Sequence, residues 1–107
     1  MKVTESLARS ACEFLKYSAF HDYHVPRFDV EIRPLRKAWG YYYSEPRKIQ
    51  IARAIRCPQK LLMVCAHEMA HAVLDKAGEH THNDHGEEFR ALGGIICKRM
   101  GWCAKEF

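Results

Sequence analysis

The chain has 107 residues, 48% of them hydrophobic, with 17 Lys and Arg against 13 Asp and Glu for a formal net charge of +4. That composition is ordinary globular and fits one small domain over residues 1–107. No apolar run is long enough to span a bilayer, residues 1–6 lack the apolar segment of a signal peptide, and the five cysteines follow no framework of spacings. They read as reduced thiols, so the expected setting is cytoplasmic or nucleoid-associated, with no membrane partner.

Residues 3–20 read as an amphipathic helix, with Val3, Leu7, Ala11, Phe14 and Leu15 on one face and Thr4 or Ser6 as the cap. His21 and His24 at its end read as surface residues in preference to a second metal site. Residues 28–33 alternate apolar and polar, the pattern of a half-buried strand, which Pro34 closes. Residues 38–43, rich in aromatics, give a second strand, 44–47 a turn, and 48–53 a third alternating strand. The short turn between the last two predicts an antiparallel hairpin.

A helix follows over 58–77, apolar at Leu61, Leu62, Val64, Cys65, Met69, Ala72, Val73 and Leu74. Pro58 suits its first turn and Gly78 its end. A last helix begins near His85, capped by Asn83 or Asp84, with Phe89, Leu92, Ile95 and Ile96 as its core face. The order predicts an α+β layer: an N-terminal helix, a small three-stranded sheet of antiparallel type, and two helices.

The long apolar helix carries His67-Glu68-Met69-Ala70-His71. Two histidines four residues apart share one helix face and reach one metal ion, for which Zn²⁺ is the usual choice. Glu68 sits beside the first of them without being a ligand, where it can take the proton of a zinc-activated water as that water attacks a carbonyl. A buried helix has little other reason to hold these three polar side chains. A third ligand must come from His80, His82 or His85. Metzincin spacing would need histidine where Ala77 stands and glycine where Leu74 stands, so that class is excluded. His85 is the best candidate, because it opens a packed helix that would hold it rigidly. His80 and His82 fall in a short polar loop and read as solvated. Asp75, one turn after His71, reads as an exposed helix residue or as an acceptor for an imidazole. Arg90 and Arg99 read as surface charges.

The run His67-Glu68-Met69-Ala70-His71-Ala72, then His85-Gly86-x-x-Phe89, with Ile49-Gln50-Ile51-Ala52 upstream, resembles the SprT-like (Spartan-type) zinc metallopeptidase domain over roughly residues 5–102. The resemblance implies His67, His71 and His85 as zinc ligands, Glu68 as general base, peptide-bond hydrolysis as the reaction and DNA-associated proteins as substrates. Many members carry a C-terminal zinc ribbon. No C-x-x-C pair is present here, so the chain reads as the protease core alone.

Between residues 27 and 56, eight basic residues (Arg27, Arg33, Arg36, Lys37, Arg47, Lys48, Arg53 and Arg56) face Asp29, Glu31 and Glu45, interleaved with Trp39, Tyr41, Tyr42 and Tyr43. Basic side chains with aromatics suit single-stranded DNA, and Arg47, Lys48, Arg53 and Arg56 are the candidate contacts. A strand layer with an aromatic core and a charged outer face accounts for the same residues. Strand 48–53, nearest the metal helix in sequence, is expected at the sheet edge, open to an added peptide strand. The alternatives are a non-catalytic zinc domain that binds nucleic acid or protein, and another zinc amide hydrolase.

Overall fold

The structure, a computed structural model, describes residues 1–78 and 85–107. Thr4 opens the first helix, α1 (Glu5–Tyr17), its Oγ1 accepting the Leu7 N–H at 3.1 Å. The buried stripe is Ala8, Ala11, Cys12 and Leu15, one position round from the face the sequence suggested. Leu7 and Phe14 are exposed. Small residues on this stripe let α1 approach the long helix closely, which the bulkier Leu7 and Phe14 would prevent.

Three strands follow: β1 (Asp29–Arg33), β2 (Gly40–Ser44) and β3 (Arg47–Ala52). β2 and β3 form the expected antiparallel hairpin, with Tyr42 opposite Ile49. β1 pairs with the other side of β3 and runs parallel to it, Val30 opposite Ile49, so the sheet is mixed, in the order β1-β3-β2. Strand 48–53 is therefore the centre of the sheet and not its edge. Alternation reports which side chains face the core but not which strands are neighbours. The deep burial of Ile49 and Ile51, flanked on both sides, marks the central position. The edge beside the metal helix is β2.

On the inner face, Val30, Ile49 and Tyr42 form one cross-strand row, and Ile32, Ile51 and Gly40 the next. On the outer face Gln50 donates to Glu31 at 3.1 Å, and Lys48 lies over the Tyr43 ring and 3.6 Å from Glu31.

The inner face is covered by α2 (Pro58–Lys76), which also packs against α1 and α3 (Glu87–Met100). Surrounded on several sides, α2 is buried almost all round, from Leu61 to Leu74. Pro58 stands in its first turn and Gly78 lies just past its end with φ 74°, as the sequence indicated. Phe89, Leu92 and Ile96 of α3 enter the core, while Ile95 is exposed. Arg99 is no loose surface charge: it donates to the Ala19 carbonyl at 2.8 Å and to both Asp22 carboxylate oxygens at 2.7 and 2.9 Å. These bonds hold the Asp22 pKa at about 2 and tie the end of α3 to the turn after α1. Among the described residues no helix is long and apolar enough to cross a membrane.

Candidate metal centre

His67 and His71, one turn apart on α2, present ring centroids 5.1 Å apart. His85 meets them from the segment before α3. Its Nε2 lies 3.2 Å from His67 Nε2 and 3.0 Å from His71 Nε2. His85 is not in the first turn of α3, as its sequence position suggested. The N-cap is Gly86, a residue type accepted there, and His85 precedes it. The suggested caps Asn83 and Asp84, and the solvated reading of His80 and His82, lie outside the described residues.

Three imidazole nitrogens converging on one point fit a metal ion. Tetrahedral zinc with nitrogen at ~2.0–2.1 Å would set its ligands about 3.3 Å apart, close to the spacings seen. Among the described residues, His67, His71 and His85 form a group whose ligand atoms lie close enough together to hold a metal ion.

Aromatic rings build the surroundings. Phe89, one turn into α3, touches all three imidazoles, with centroids 4.9, 4.4 and 4.8 Å from His67, His71 and His85. Tyr42 of β2 stacks on His71 with an interplanar angle of 11°. Its hydroxyl donates to Asp75 Oδ2 at 2.5 Å and accepts from Arg47 Nε at 3.2 Å. Burial, with the Asp75 hydrogen bond, pushes the Tyr42 pKa to about 12, so the phenol stays a donor. Asp75 thus acts on the tyrosine that stacks against the imidazole.

Glu68, 5% exposed, faces the sheet through the gap left by Gly40. A methyl on Gly40 would lie 3.0 Å from Glu68 Oε2, 3.0 Å from the Gln50 carbonyl and 2.9 Å from Val64 Cγ1. A glycine inside a strand pattern often marks such a close approach, and this was the one signal in the sequence for it. Burial raises the Glu68 pKa to about 8 and lowers that of His67 to about 4. Both shifts follow from desolvation of the charged form. A cleft of about 530 Å³ opens over the histidines and Glu68, walled by Trp39, Gly40 and Tyr41 on one side and by Lys60, Met63, Glu106 and Phe107 on the other.

Of the four basic residues read as nucleic-acid contacts, Arg47 is bonded to Tyr42 and lies 3.8 Å from Asp75, and Lys48 is paired with Glu31. Arg53 and Arg56 are exposed on the turn after β3. None of the four is among the residues that line the cleft.

A buried helix offers two histidines one turn apart to a third, under a small mixed sheet, and the three together could hold a metal ion. The chain belongs to the SprT-like family, whose family model matches residues 8–105. No curated protein and no solved structure matches it.

Proposed function

We propose that the protein is a zinc-dependent endopeptidase. The carrying observation is the convergence of three imidazole nitrogens at the floor of an open cleft, with the Glu68 carboxylate buried next to them on the same helix. All-imidazole donors suit zinc, which when bound supplies Lewis acidity to a carbonyl and to the attacking water. Glu68 takes the proton of that water and hands it to the leaving nitrogen. Its desolvated setting raises its proton affinity, and a positive charge close by would restore its ionised form. Among the described residues β2 pairs only with β3, which leaves its other edge to a substrate strand bound through its main chain. Such binding gives weak sequence specificity.

The test is hydrolysis of an unstructured protein. Chelation is expected to abolish cleavage and added Zn²⁺ to restore it. Cleavage indifferent to chelator, or none by zinc-loaded protein, would sink the proposal. Gly40→Ala is expected to keep the zinc but lower turnover by on the order of 10–100-fold, because the Gln50 main chain cannot yield and Glu68 must shift. Unchanged turnover in that variant would show that the position of Glu68 is not critical.

A further inference from the structure

We infer that the main-chain oxygen of Phe107 is the fixed acceptor that orients His67 toward the metal, and that Gly93 is the notch that seats it. The inference rests on the reading of His67 as a metal ligand, not on hydrolysis.

His67 Nδ1 lies 2.6 Å from the Phe107 main-chain oxygen. A carbonyl or carboxylate oxygen only accepts, so Nδ1 carries the proton, and a neutral imidazole then has its free lone pair on Nε2. That is the nitrogen facing His85. An outer hydrogen bond of this kind fixes both tautomer and ring orientation of a metal-bound histidine.

The oxygen is brought there by the last stretch of chain. Gly101, with φ 73°, ends α3 in a left-handed cap, and the Trp102 N–H returns to the Cys97 carbonyl at 2.8 Å. A single 3-10 turn, Ala104–Glu106, then folds Phe107 back over α3. The Phe107 ring packs 5.4 Å from the His67 ring and 5.8 Å from Phe89. It rests directly on Gly93, where a Cβ would stand 2.9 Å from ring atom Cδ2. Glycine is a poor residue for a helix interior. Gly94, its neighbour, has nothing within 4 Å of a Cβ and so provides a matched control on the same helix.

The experiment compares Gly93→Ala with Gly94→Ala. Zinc affinity is read by competition with a chromophoric chelator, and the His67 tautomer by the imidazole ¹H–¹⁵N spectrum. Gly93→Ala is expected to weaken zinc binding about 10–100-fold and to lose the protected Nδ1–H signal, while Gly94→Ala keeps both. Phe107→Ala, which retains the main-chain oxygen but loses the seated ring, should match Gly93→Ala. The double variant should be no worse than either alone, because the two changes break one contact. The inference is overturned if Gly93→Ala binds zinc like the wild type with the signal intact, or if Gly94→Ala loses as much. A wild type that takes up no zinc overturns it together with the metal-centre reading. Zinc uptake without hydrolysis fails the peptidase reading alone and leaves the comparison of variants fully readable.

Discussion

Glu68→Gln is expected to keep its zinc and its fold while hydrolysis falls by roughly 10²–10⁴-fold, the contribution of a positioned general base. The amide has the shape of the carboxyl and still hydrogen-bonds water, but it cannot hold a proton in transit. A second outcome separates this from a structural effect. The Glu68 pKa is raised by burial from 4.5 to about 8, so the metal-free folded chain holds a proton that the unfolded chain releases. A carboxyl of this sign gives stability that is complete below pH 4.5 and gone once pH passes about 8. His67, lowered from 6.5 to about 4, acts in the opposite direction and only below about 6.5. Between pH 6.5 and 8 the His67 contribution is constant, so metal-free wild type should lose more stability as pH rises than Glu68→Gln does. Denaturant midpoints at pH 6.5 and 8 check this, and equal slopes for the two proteins would remove the buried carboxyl from the account.

His71→Ala is expected to lose metal and stability together. The imidazole is 2% exposed and held between Tyr42 and Phe89, with centroids 6.3 and 4.4 Å away. Its removal opens a cavity in a packed aromatic layer, which by analogy with large-to-alanine core changes costs about 2–4 kcal/mol. It also deletes a ligand. An ion bound only by the folded state and present at a thousand times its Kd adds about 4 kcal/mol, on the order of 15–30 °C in Tm for a chain near this size. Thermal melts with and without chelator make the distinction. Wild type should drop by that amount on chelation. His71→Ala should start lower and show no response. An equal response in both would mean that His71 is not a ligand.

The metal helix was legible because three independent signals agree there: apolar flanks, Pro58 and Gly78 at its ends, and polar residues that a buried helix does not otherwise carry. The three strands were legible by alternation. Their order was not, because pairing of β1 with β3 depends on how the connection 34–39 crosses the sheet, and no local pattern in the sequence encodes that. The same gap misplaced the free edge, which belongs to Gly40–Ser44. That His85 joins His67 and His71 was legible through the helix that follows it, but its place ahead of the Gly86 cap was not. The Phe107 main-chain oxygen left no trace, since main-chain acceptors carry no residue signature. Arg99 looked like a solvated charge because its partners, Ala19 and Asp22, lie 80 and 77 residues away in the chain. The charge between residues 27 and 56 was real, but sign alone did not show that Arg47 pairs with Tyr42 and Asp75 and Lys48 with Glu31.

If the proposed peptidase activity holds, the clamp between β2 and α2 bears on which proteins can be cut. Tyr42, bonded to Asp75, fastens the middle of that strand to the helix, and its first residue, Gly40, approaches Val64 and Glu68 closely. A chain that pairs with the outer edge of β2 must arrive with its own amides and carbonyls unpaired over several residues. For a substrate bound in this way, the work of exposing that stretch falls on the target. Susceptibility to cleavage would then track the local opening free energy of the victim: disordered tails and damaged or partly unfolded chains would be consumed, while intact neighbours at the same concentration would be spared.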